Sequence, residues 1–97
     1  MMHRILSFLL LPMSSEDLRY EVRRFLAGRP TVAADLSTIR HGLARWGVTA
    51  TDAEIQAACM FLAGLEPAQA VQHYASLGSS LSYQITAAGI LAFERNE

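Results

Sequence analysis

The sequence has a single cysteine, Cys59, and no lysine among its 97 residues. One cysteine excludes an internal disulfide and a zinc centre built from cysteines. All eight basic residues are arginine, and nine acidic residues bring the formal net charge to −1. The chain therefore lacks the strong positive balance that by itself indicates a nucleic-acid or anionic-membrane partner. The apolar run 5–11 ends at Pro12 and is too short to cross a bilayer.

Apolar residues, by contrast, are plentiful. They make up 52% of the chain against 18% charged residues, which predicts a folded protein. The length suits one domain over residues 1–97. We expect residues 1–14 to form an N-terminal apolar segment that packs on the core or on a second subunit, with Met13 as an alternative start. No small-residue cleavage pattern follows this segment, so we predict a cytoplasmic protein.

Charge is distributed unevenly along the chain. Residues 1–46 carry seven arginines and four acids, a formal +3, whereas residues 47–97 carry one arginine and five acids, a formal −4. Every cationic contact must come from arginine, whose planar guanidinium suits carboxylates and phosphates.

The first part of the chain predicts two helices. Ser14 and Ser15 offer N-cap hydroxyls, and Gly28 is a stop signal. The inner face of this first helix is predicted to hold Leu18, Val22, Phe25 and Leu26, and its outer face Arg19, Tyr20, Arg23 and Arg24. The apolar residues of the second helix repeat at spacings of four and three from a Thr31 cap to Gly47: Val32, Leu36, Ile39, Leu43 and Trp46. A short extended segment at its first turn is the alternative, because Thr31 and Val32 are β-branched.

A third helix is predicted from Asp52, after a tight turn. Thr51 and Glu54 have the spacing of a capping box, in which each side chain satisfies a backbone N–H of the other residue. At about 100° per residue, its inner face holds Ile55, Ala58, Cys59, Leu62 and Leu65.

Two strands and a last helix are predicted to follow. Alternation over 69–74 favours a strand, although a short helix after Pro67 also fits. A turn at Leu77–Ser80 leads to a second strand that buries Leu81, Tyr83 and Ile85. Thr86 then caps a helix that buries Ile90 and Phe93.

This order of elements resembles that of winged-helix (winged helix-turn-helix) domains over residues 15–95. The segment Tyr83–Ile90 resembles their Tyr-x-Leu/Ile-Thr-x-x-Gly pattern from the last wing strand into a closing helix, and Leu62–Leu65 resembles the Gly-Leu end of their third helix. The fold class expected is α+β, mainly α, with a three-helix core, a β-hairpin wing and a closing C-terminal helix. The resemblance implies DNA binding through the third helix and the wing tip, as in many bacterial and phage repressors, although some members act only as protein–protein modules.

The third helix departs from that implied role. Between Arg45 and Arg95 the chain has no cation, and Asp52 and Glu54 lie where phosphate would approach. Opposite the core face runs a set of small and apolar residues, here called the outer stripe: Ala53, Ala57, Met60, Phe61 and Gly64. Such a surface suits another polypeptide better than a DNA groove. We therefore predict a protein interface, for a homodimer or a protein partner. The alternative is that residues 5–11 or the wing strand cover it within one chain.

A DNA-binding regulator is the second hypothesis. Its backbone contacts would come from arginines of the first two helices, and Gln56 would be the base-reading side chain; the residues are Arg19, Arg23, Arg24, Arg29, Arg40, Arg45 and Gln56. Such arginines can instead pair with nearby carboxylates on a solvated helix face.

Catalytic chemistry is not predicted. His3, His41 and His73 are scattered without the spacing of metal ligands, and no phosphate loop or nucleophile turn is present. We expect Cys59 to be a buried hydrophobe that resists alkylation. The sequence thus predicts a non-enzymatic module with no cofactor, no metal and no small-molecule substrate. We expect it to act within a transcriptional or phage-type regulatory system and away from membranes.

Overall fold

A computed structural model of the chain describes residues 13–74 and 81–95. Within these ranges the protein is a mainly helical α+β domain of four helices and a small antiparallel sheet. The elements in chain order are α1 (Ser15–Ala27), β1 (Ala34–Asp35), α2 (Leu36–Arg45), α3 (Asp52–Ala63), β2 (Ala70–Tyr74), β3 (Leu81–Ile85) and α4 (Ala87–Glu94). The apolar segment 5–11 and the turn 77–80 lie outside the described residues.

Local capping fixes where the helices begin. The Ser14 hydroxyl accepts from the Asp17 N–H at the start of α1, and the Thr86 hydroxyl accepts from the Gly89 N–H at the start of α4. Thr51 and Glu54 form the expected capping box of α3. These three predicted helix starts are confirmed.

The start of the second helix was predicted wrongly. The N-cap of α2 is Asp35, whose carboxylate accepts from the Thr38 N–H at 2.8 Å, and not Thr31. The chain before it is extended, but the paired residues are Ala34 and Asp35 rather than Thr31 and Val32. Val32 therefore precedes the helix and is 49% exposed. At the other end, Gly47 adopts a left-handed φ of 80°, which lets the chain leave α2 sharply.

The three strands form one sheet in the order β1-β3-β2, with both pairings antiparallel. β2 pairs with β3 along its whole length, from Ala70 opposite Ile85 to Tyr74 opposite Leu81. β1 adds two residues on the other side of β3, with Ala34 opposite Tyr83. The strand prediction for residues 69–74 is confirmed, and the alternative of a short helix there is wrong.

The core lies where α1, α2 and α3 meet the inner face of the sheet. Its fully buried large side chains are Val22, Leu26, Ile39, Leu43, Ile55, Cys59, Leu62 and Tyr83. Four predicted core positions differ, because Phe25, Leu36, Leu65 and Leu81 are only half-buried at its margin. Trp46 lies at the edge of the domain rather than in the core, with 44% of its surface exposed and its ring against Phe25.

In α4 the buried positions are Gly89 and Ala92, whereas Ile90 and Phe93 are half-buried. A side chain at Gly89 would collide with the backbone carbonyl of Gln69. Small residues therefore face inward where this helix begins, and the larger apolar residues lie to either side of the contact.

Candidate interaction surfaces

The outer stripe of α3 is exposed over its whole length. Met60 is 55% and Phe61 48% exposed, and Ala53, Ala57 and Gly64 are exposed as well. The inner positions Ile55, Ala58, Cys59 and Leu62 are buried, so the predicted orientation of α3 is confirmed. The strand β2 does not cover the stripe. Residues 5–11, the other covering segment considered, lie outside the described part of the chain.

In the part of the chain that the structure describes, Arg19 is the cation that lies against the outer stripe. The guanidinium carbon of Arg19 lies 3.9 Å from the ring centre of Phe61 and bridges α1 to α3. Clefts of about 320 Å³ and 410 Å³ flank this contact. The first contains Glu54 and the second Glu16 and Asp17. The surroundings of the stripe are therefore apolar and mixed in charge rather than cationic.

The carboxylates at the start of α3 already have partners. Asp52 accepts a hydrogen bond from the Arg40 guanidinium in an ion pair that joins α2 to α3. Glu54 accepts from the Thr51 N–H at 2.8 Å. Both acids serve the structure of the helix start, and Arg40 is engaged by one of them.

The predicted arginine set does not form one continuous band. Arg23 was expected to point outward but is buried, with 7% of its surface exposed, and it donates to Oε1 of Gln69 at 2.8 Å. The expected outward orientation of Arg23 is wrong, and its role as a nucleic-acid contact stays a prediction that this burial does not favour. Gln56, the expected base reader, is half-buried on α3.

Three members of the set do share a surface. Arg24 lies 4.2 Å above the Trp46 ring and Arg29 5.1 Å from the centre of the Phe25 ring. The rings of Phe25 and Trp46 meet edge to face at 6.1 Å. We call the surface formed by Arg24, Phe25, Arg29, Arg45 and Trp46 the arginine–aromatic face.

Sequence reasoning did not find this face. Phe25 is in the last turn of α1 and Arg29 follows its Gly28 C-cap, so the helical spacing of the sequence did not pair the two residues. The contact between Arg24 and Trp46 depends on how α1 packs against α2. Close packing is possible because Gly42 leaves room for the Phe25 ring, which a side chain at position 42 would overlap.

Cys59 is buried, and burial raises the pKa of its thiol to about 12. Burial likewise raises the pKa of Tyr83. A thiol that stays protonated is a poor nucleophile. Among residues 13–74 and 81–95 no group of three or more His, Cys, Asp or Glu side chains is arranged to hold a metal ion.

Comparisons with protein-family models, with curated proteins and with solved structures find no match. Within the described ranges, no helix combines the length and apolar character needed to span a bilayer.

Proposed function

We propose that the protein is a winged-helix-like, non-enzymatic module that acts through self-association or protein-partner binding, within a transcriptional or phage-type regulatory system. The order of the three core helices, the β2–β3 hairpin and the closing α4 support the winged-helix assignment. The short β1, which joins the hairpin in the order β1-β3-β2, also fits a wing attached to the core.

The observation that carries this function is the exposure of the outer stripe. A helix of a small monomeric domain normally presents polar residues to water. Here a Met and a Phe, each about half exposed, lie beside Ala53, Ala57 and Gly64. Small residues allow close approach of a second backbone, and the two larger side chains supply apolar area for an interface core.

Sedimentation velocity over a concentration series tests self-association. We expect the wild-type protein to associate and Met60→Glu to remain monomeric, because a desolvated carboxylate in the interface is costly. Leu91→Glu is the matched control, since Leu91 is 45% exposed on α4, and this variant should associate like the wild type.

A heterologous partner is tested with the same three proteins as baits. A partner retained by the wild type and Leu91→Glu but lost with Met60→Glu supports the outer stripe. If the wild type is monomeric up to about 0.5 mM and no captured protein is sensitive to Met60→Glu, this function is rejected.

A DNA-binding regulator is the second candidate, with arginine-lined α1 and α2 on the phosphates and α3 in the groove. The clustering of Arg24, Arg29 and Arg45 favours it. Four arginines of the set already have partners, which reduces what the set can offer to phosphate: Arg19, Arg23, Arg24 and Arg40. A salt titration of duplex binding tests it, because phosphate contacts strengthen as salt falls. Absence of binding at low ionic strength would exclude it.

A further inference from the structure

The arginine–aromatic face is separate from the outer stripe and has its own clefts. One, of about 430 Å³, is lined by Arg24, Arg29, Trp46 and Phe93 among others. The second, of about 280 Å³, has Arg29 and Arg45 in its wall, with Thr38 and His41. Phe25 and Arg29 line both, so the two clefts are neighbours with a shared wall.

Charge sets these clefts apart from those beside α3. Among the described residues that line the two clefts are three arginines and no Asp or Glu, and Glu21 pairs with one of these arginines, Arg24. Both clefts beside the outer stripe include carboxylates. The arginine–aromatic face therefore favours an anionic ligand, while the outer stripe does not.

Stacking on aromatic rings preorganises the guanidinium groups for an anionic ligand. Arg24 and Arg29 lie over the rings of Trp46 and Phe25, which restricts their side chains while the N–H groups at the guanidinium edge remain able to donate. Less side-chain entropy is then lost when a carboxylate binds. Glu21 already occupies one edge of the Arg24 guanidinium, with its Oε1 3.3 Å from Nη1, so a ligand carboxylate binds the other N–H groups of Arg24 or displaces Glu21.

The clefts are also apolar, which distinguishes between two kinds of anion. Phe25, Ala27, Trp46 and Phe93 contribute to the walls of the larger cleft. A DNA duplex keeps its bases stacked inside and presents only its backbone to such a space, whereas a peptide can place an apolar side chain there and carboxylates on the arginines.

We propose that the arginine–aromatic face is a binding site for an acidic peptide segment of a partner protein, in which carboxylates flank an apolar side chain. Arg24, Arg29 and Arg45 pair with the carboxylates, and the cleft between Trp46 and Phe93 receives the apolar side chain. This site goes beyond the proposed interface on α3 and does not depend on it.

Trp46 is the only tryptophan of the chain, so its fluorescence reports on this face directly. The full chain is titrated with the peptide acetyl-EELEE-amide, with acetyl-EESEE-amide, which lacks the apolar side chain, and with the uncharged acetyl-QQLQQ-amide. We expect saturable binding of the first peptide, weaker binding of the second and none of the third. Binding of the first should weaken as salt is added.

Variants locate the site. Arg29→Gln and Arg45→Gln should each weaken acetyl-EELEE-amide binding about fivefold, the scale of one exposed charge pair. Arg45 is exposed, so its variant remains informative if the half-buried Arg29 is needed for folding. Arg19→Gln is the matched control, because it removes the same charge from α1 at the outer stripe and should leave peptide binding unchanged.

Four results would overturn the proposal. These are no response of Trp46 up to about 1 mM peptide, equal binding of acetyl-QQLQQ-amide, an equal loss in Arg19→Gln, or tighter binding of a short DNA duplex than of the acidic peptide. The last result would assign the face to phosphates. Met60→Glu should bind the peptide normally, so failure of the α3 interface and failure of this site are distinguishable.

Discussion

Arg23 and Gln69, 46 residues apart, are joined by a 2.8 Å hydrogen bond from Nη1 to Oε1 that ties α1 to the segment before β2. The backbone of Gln69 makes two further bonds. Its N–H donates to the Leu62 carbonyl at 2.9 Å, and its carbonyl accepts from the Thr86 N–H at 3.1 Å. Gln69 thereby connects the end of α3, the start of α4 and the middle of α1.

Gln69→Leu should destabilise the domain by about 1–3 kcal/mol, because it removes one of the acceptors of a buried, charged donor. Urea unfolding measures the loss. Gln56→Leu is the matched control on α3, for which we expect a change below about 0.5 kcal/mol. Equal stabilities of the two variants would show that the bond from Arg23 contributes nothing.

Arg23 also shows why part of the structure could not be predicted from the sequence. Helix starts at Ser14, Thr51 and Thr86 depend on neighbours three residues away, and all three were predicted. The Gln69 partner of Arg23 is distant in sequence, and helical periodicity alone placed this arginine on the outer face of α1. Its burial follows from the packing of α1 against the Gln69 segment.

The start of the second helix was predicted wrongly for a different reason. Val32 extends the apolar spacing of α2 by one turn, so periodicity favoured an early start at Thr31. Asp35 is a stronger N-cap than Thr31, and pairing of Ala34 with Tyr83 keeps the preceding backbone extended.

Exposure of the outer stripe was predictable because it depends only on the geometry of one helix. Its role as an interface remains a prediction.

Gly42→Ala tests the close packing behind the arginine–aromatic face. Its methyl group would overlap the Phe25 ring, so we expect a loss of about 1–3 kcal/mol despite the better helix propensity of alanine. The Trp46 emission should shift too, because Phe25 contacts its ring. Gly28→Ala is the control, since its added carbon would lie at an ordinary 3.5 Å from the nearest atom.

Replacing Phe25 in the Gly42→Ala background distinguishes overlap from other causes. Phe25→Leu should recover part of the lost stability in the double variant because the smaller side chain makes room. If Gly42→Ala is as stable as the wild type with an unchanged Trp46 spectrum, the close approach of α1 and α2 at this point is wrong.

Ionised Asp35 should make the stability of the domain depend on pH in the acidic range. Hydrogen bonds from the backbone and side chain of Thr38 lower the pKa of Asp35 below 3.8, and the charge of His41 lowers it further. A lowered pKa in the folded state means that the ionised carboxylate stabilises the fold above the unfolded pKa. This contribution is lost as pH falls through the folded pKa.

Asp35→Asn should keep the helix cap but remove this part of the acid dependence, whereas Asp35→Ala should cost about 1 kcal/mol near neutral pH. Unfolding free energies measured as the pH is lowered would test both. An acid dependence of Asp35→Asn identical to that of the wild type would refute the role of the carboxylate.

For Cys59 we expect the opposite pH dependence of stability, with a loss at alkaline pH. Burial raises the pKa of its thiol from 9.0 to about 12, so the unfolded chain ionises first and the fold should lose stability as pH rises through this window. The loss is about 1.4 kcal/mol per pH unit above the unfolded pKa. Cys59→Ala should flatten this slope while leaving in place the larger part of the Tyr83 contribution, which comes from burial. Native protein should react with iodoacetamide far more slowly than urea-unfolded protein, because only the thiolate attacks. Equal labelling rates, or equal alkaline slopes for wild type and Cys59→Ala, would show that the thiol ionises freely in the fold.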